Sequence, residues 1–170
     1  MLGFLFRGLT AGPAHGAALF DALTAEARRP HWYVEGEIPD TLDGRFAVLS
    51  TLTALALVRL EADGDAGNRM PVALTERFIE VMESEHRQLG IGDPTLGRTV
   101  RKLVGMLARR TELLRSASTR ETDWLQATRE SLYKNDVGPE ALSQSADALR
   151  RFSERLAATP LASLEQGEIA

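Results

Sequence analysis

The chain has no cysteine in its 170 residues. That excludes a disulfide scaffold, a thiol nucleophile and every thiolate metal site. Aromatic residues are scarce at 6%, so the core has to be built from Leu, Ala and Val. No apolar run approaches the roughly 18 residues of a membrane span. The longest uncharged stretch is the 13 residues from Phe46 to Val58, the length of a buried core helix. There is no excess of positive charge either. The net charge of −4, from 20 Lys+Arg against 24 Asp+Glu, argues against wholesale nucleic-acid binding and against DNA as a partner. β-strand patterning is almost absent: Trp32-Tyr33-Val34 is the sole short candidate.

What remains is helix. The punctuation predicts about six helices in one domain spanning 1–170, an all-α bundle with an apolar central helix. The helical body covers 14–158, preceded by an arm (1–13) and followed by a fraying tail (160–170). The first helix runs from Ala14 to Arg29 and stops at Pro30. The second starts with Asp40 as N-cap and reaches about Ala62. The third spans Met70 to Leu89, with Val72, Phe78, Ile79, Met82 and Leu89 on its apolar side. Asp93-Pro94 opens a fourth, whose stripe is Leu96, Val100, Leu103, Leu107 and Leu114 and which ends near Ser116. Ser118 and Glu121 match a capping box for a fifth, carrying Trp124, Leu125, Leu132 and Tyr133. Pro139 begins a sixth, with Leu142, Leu149, Phe152 and Leu156 facing its partner. The N-terminal Leu2, Phe4, Leu5 and Phe6 read as an arm tucked onto the body or as a peripheral anchor. They are too few for a signal peptide, so the chain is expected in the cytoplasm, with a peripheral contact at the inner membrane.

Motifs for chemistry are thin. There is no Gly-x-Ser-x-Gly elbow and no phosphate-binding loop. Glu83 and His86 form one Glu-x-x-His pair, but a di-iron site needs a second copy and further glutamates. His15 and His31 have Gly12 and Arg28 three residues before them, so no second copy exists and no metal or cofactor is expected. Glu83 and Arg87 at i, i+4 read as an ordinary ion pair. A rival reading makes His86 an acid–base group with Glu83 or Glu85 in a small helical enzyme. Another is a plain scaffold or oligomerisation module.

The charge is unevenly spread. Between Pro94 and Ser116 stand Arg98, Arg101, Lys102, Arg109, Arg110 and Arg115 against the single Glu112. Arg98, Arg101, Lys102 and Arg109 share one helix face by spacing. Such a face suits an acidic partner, RNA or anionic lipid, or is simply solvated. Arg45, at the mouth of the apolar helix, is expected to pair with Asp40, Asp43 or Asp93.

Two stretches together resemble a known family. His31-Trp32-Tyr33 followed by Ile38-Pro39-Asp40-Thr41-Leu42-Asp43-Gly44-Arg45-Phe46 resembles the opening signature of the ubiquinol–cytochrome c chaperone family. Met82 to Asp93, with its Arg87 and Gly90-Ile91-Gly92-Asp93, looks like the second signature. Val100 to Leu103 and Leu132 to Asn135 fall where that family has similar segments. Ala47, Leu52 and Ala108 depart from the pattern. The resemblance implies a helical, non-enzymatic factor for assembly of the cytochrome bc1 complex, acting on newly made cytochrome b. Association with the translating ribosome and a second assembly factor belong to the same picture. The length and the lack of a transit segment point to a bacterial-type member. The positions it marks are Trp32, Tyr33, Asp40, Gly44, Arg45, Phe46, Arg87, Gly90, Gly92 and Asp93. The basic residues Arg98, Arg101, Lys102 and Arg109 join them as candidate partner contacts, on a helix at 94–116 that would meet the ribosome or an anionic membrane.

Overall fold

The computed structural model describes residues 13–64, 69–88, 96–120 and 123–170. Among them the regular elements are all helices: α1 Pro13–Ala27, α2 Leu42–Ala62, α3 Met70–Gln88, α4 Leu96–Ser118, α5 Trp124–Leu132, α6 Pro139–Ala158 and α7 Leu161–Glu165. There is no strand among the described residues. Trp32, in the loop expected after the first helix, closes a 3₁₀ turn, Pro30–Trp32, because Pro30 presets the first backbone angle of such a turn.

The central helix is α2. A surface helix needs one apolar stripe, whereas α2 is apolar on every side, which only a helix enclosed by others tolerates. Val48, Leu52, Ala54, Leu55 and Leu60 are all buried within it. Its buried hydroxyls are satisfied from within: Thr51 and Ser50 donate to the Ala47 carbonyl and Thr53 to that of Leu49. Five helices pack on α2, with α1 and α3 as one pair and α4, α5 and α6 as another group. The α1–α3 crossing is close because Gly16 has no side chain; a Cβ there would stand 2.6 Å from the Ala73 carbonyl oxygen. α2 and α4 run side by side in the same direction: Glu61 pairs with Arg115 at their C-terminal ends, and Lys102 acts on Asp43 near their N-terminal ends.

Several expected details shift. Thr41, not Asp40, caps α2, accepting from the Gly44 amide at 3.2 Å. Ser118 is the last residue of α4 and donates to the Leu114 carbonyl, so it caps nothing. Asp123 caps α5 through the Leu125 amide instead. Val72 and Leu125 are 61% and 41% exposed, on the solvent sides of their helices. Leu103, Leu107, Leu114, Leu142, Leu149, Phe152 and Leu156 are buried where the helical period puts them. The last ten residues, expected as a fraying tail, are folded onto the body: Leu161–Glu165 form α7, which packs on α1 and buries Leu164 completely. Gly167 adopts φ +76° beside Ala18, where a Cβ would meet the Ala18 carbonyl at 2.5 Å. The arm 1–12, the Asp93-Pro94 start and Glu121 lie outside the described residues.

Candidate functional site

The first motif folds into one end of the molecule. α1 stops at Ala27, which leaves its last carbonyls without intrahelical donors. Two aromatic side chains from the following turn supply them. The Trp32 indole N–H donates to the Glu26 carbonyl at 3.1 Å, and the Tyr33 hydroxyl donates to that of Ala27 at 2.6 Å. Trp32 is thereby buried, with His31 against its ring at 4.5 Å between centroids. Burial lowers the His31 pKa and raises that of Tyr33, in each case disfavouring the charged form.

The loop then turns into α2 under tight constraint. A Cβ on Gly36 would fall 2.5 Å from the Trp32 carbonyl oxygen and 2.6 Å from Ser145 Oγ. At Gly44 the clash would be worse, 1.9 Å from the Pro39 carbonyl oxygen. Arg45 Nε donates to Asp40 Oδ1 at 2.6 Å, so of the three candidate carboxylates the loop partner is Asp40. That hydrogen bond holds the Asp40 carboxyl below its ordinary range. Asp43 is held low in the same way by Lys134, 2.7 Å away. Phe46, half-buried, packs on Phe78 of α3 with ring centroids 6.1 Å apart.

Outside these contacts lies a shallow depression of about 360 Å³, lined by Arg28, Pro30, Tyr33, Val34, Asp40 and Arg45. Val34 stands at its wall and Leu42 opens α2; both are 68% exposed. Among the described residues no cluster of His, Asp and Glu could hold a metal ion.

The basic helix divides in two. Arg98, Arg101 and Lys102 are exposed in the N-terminal half of α4, and no ion pair holds them among the described residues. The C-terminal half is internally matched. Arg109 pairs with Glu130 at 3.1 Å, and Arg115 with Glu61 and Glu112. Arg110 is part-buried and donates twice to the Ser131 carbonyl, at 3.2 and 3.0 Å; burial lowers its pKa. The face shared by spacing is therefore not one open patch. The side chains of His86 and Arg87, and residues Gly90, Gly92 and Asp93, lie outside the described residues, so the second motif has no geometry to add.

Three structural residues escaped the sequence reading. Arg59 donates to the carbonyls of Leu156 and Thr159 at 3.0 and 3.1 Å, closing the C-terminal end of α6. Arg110 does the same for α5. The Tyr133 hydroxyl joins the Gly36 carbonyl at 2.6 Å and Ser145 Oγ at 2.7 Å, tying α6 to the first loop. Only the resemblance of Leu132 to Asn135 to a family segment drew attention to Tyr133 beforehand.

Three comparisons bear on this arrangement. No curated protein matches the chain. Among solved structures, it is similar to the crystal structure of the Cbp3 homolog from Brucella abortus. The identity is 25% and the TM-score 0.77, over 100% of this chain and 96% of that one. The family model described as ubiquinol-cytochrome C chaperone matches residues 35–170, from the loop before α2 through α7 to Ala170. In the described part of that span lie Asp40, Gly44, Arg45 and Phe46, all placed at the end just built. The chain belongs to the ubiquinol-cytochrome C chaperone family.

Proposed function

We propose that the protein is a non-enzymatic assembly chaperone for the respiratory ubiquinol–cytochrome c reductase (bc1) complex and that it binds newly made cytochrome b. The observation that carries this is the family match over residues 35–170, reinforced by a fold shared along the whole chain with a Cbp3 homolog. The chemistry of the surface agrees. A factor that works by contact needs exposed apolar anchors beside charges that orient the partner, and Val34, Leu42, Arg28 and Arg45 offer both. No helix among the described residues is long and apolar enough to cross a membrane. The expected place of action is the cytoplasmic side of the inner membrane. There Arg98, Arg101 and Lys102 form a second contact, to the ribosome or to anionic lipid, and a second assembly factor completes the complex.

Deletion of the gene tests the reading directly. The expected result is a several-fold loss of bc1 complex and of cytochrome b, with cytochrome b co-purifying with the tagged chaperone. Unchanged bc1 content in the deletion strain would overturn it. Charge reversal at Arg98, Arg101 and Lys102 together should weaken the second contact and flatten its salt dependence. No change at low salt would remove this face from the mechanism.

A further inference from the structure

α2 and α4 begin at the same end of the molecule, and their first turns bring cations and exposed apolar side chains together. On α4, Arg98, Arg101 and Lys102 lie within little more than one turn. All three are exposed, and no ion pair holds them among the described residues. Val104, three residues beyond Arg101 on the same face, is 40% exposed. Gly97 and Gly105 leave this face flat and open: a Cβ at either position would meet nothing within 4 Å.

On α2, Leu42 is 68% exposed. Its direction follows from helix geometry. Successive residues stand about 100° apart, and Gly44, two positions on, is buried. Leu42 therefore points away from the core, between Asp43 on one side and Arg45 on the other. Asp43 links the two helices: Lys134 donates to it at 2.7 Å, and Lys102 of α4 acts on it electrostatically. Arg45 is held by Asp40. Both pairs are exposed, so each contributes little and opens readily to a competing anion.

The open cations of α4 call for an anionic partner, and Leu42 and Val104 beside them call for an apolar phase next to it. A phosphate surface over hydrocarbon supplies both, whereas a nucleic-acid backbone supplies only the first. The aromatic at the start of α2, Phe46, is packed on Phe78 and is not free to stack on a base. We propose that the first turns of α2 and α4 form a membrane-docking face, on which Arg98, Arg101 and Lys102 take the phosphates of anionic lipid while Leu42 and Val104 enter the interfacial layer. The face rests on the second contact of the chaperone reading above and fixes its partner as an anionic bilayer.

Vesicle co-sedimentation of the whole chain tests this with no client present. Phosphatidylcholine vesicles holding about one-third phosphatidylglycerol should bind at least about tenfold tighter than pure phosphatidylcholine, and less so as salt rises. Arg98→Glu, Arg101→Glu and Lys102→Glu together should weaken that binding about 100-fold. Leu2, Phe4, Leu5 and Phe6 remain in this variant, so the loss reports on the face and not on the N-terminal segment. Leu42→Ser with Val104→Ser keeps the charge and should weaken binding about tenfold. All five positions are exposed, so both variants should keep the parent's thermal unfolding. Equal binding to the two kinds of vesicle would overturn the docking face. Full binding by the serine variant would overturn the entry of Leu42 and Val104. If the parent chain prefers ribosomes or poly(U) RNA to anionic vesicles, the lipid assignment falls and RNA takes its place. If the deletion strain keeps its bc1 complex while vesicle binding holds, the chaperone reading fails and the docking face stands.

Discussion

At Gly44 the first turn of α2 passes so near Pro39 that a methyl group has nowhere to go. The neighbour is backbone, not a flexible side chain, so Gly44→Ala must displace the loop that carries Asp40. The expected cost is about 3 kcal/mol, read as a lower urea midpoint at unchanged m-value. A variant as stable as the parent would show that the loop can retreat. His31 makes a second residue-scale prediction. Burial holds its imidazolium back, so the folded pKa lies below the unfolded value of about 6.5. As pH falls the unfolded chain takes up the proton first. The contribution is therefore complete above about pH 6.5 and is lost as pH drops through the lower folded pKa. Urea midpoints measured from pH 7.5 to 5 should decline less steeply in His31→Gln than in the parent. Parallel declines would assign the pH dependence elsewhere.

Among the elements, helix ends are completed by residues from other helices. Arg59 of α2 closes α6, and its charge also meets the negative end of that helix and Asp63 at 2.7 Å. Arg59→Met keeps the apolar stem but leaves the Leu156 and Thr159 carbonyls unpaired. A loss of about 2 kcal/mol is expected, with faster exchange at the end of α6 as the local signature. The bodies of six helices were legible in the sequence because the apolar period and the Pro and Gly stops are local signals. Their caps were less so. Asp40 and Thr41 are both good N-caps and adjacent, and only the loop geometry, which commits Asp40 to Arg45, decides between them. Ser118 and Glu121 have the spacing of a capping box, yet α4 runs on through Ser118 because its buried stripe extends to Leu114 and Ala117.

At the scale of the whole molecule, the C-terminal segment is part of the body. Leu164→Ala should cost about 3 kcal/mol by chemical denaturation, as for any fully buried leucine. A neutral result would mean that α7 contributes nothing to the fold. The sequence by itself determined the fold class, the central place of α2 and the pairing of Arg45 with a nearby carboxylate. Each of these follows from patterns within a few turns of chain. It also carried the family signatures, of which Asp40, Gly44, Arg45 and Phe46 prove to share one end of the molecule. Only the tertiary structure decided which cations remain open. Arg101 and Arg110 read alike in sequence, but one faces water and the other spends its guanidinium on a carbonyl 21 residues away. Likewise nothing local marks Thr128 and Ser131 as buried without partners. Burial and charge pairing depend on distance in space, and the partners that settle them come from other helices, up to 129 residues away along the chain.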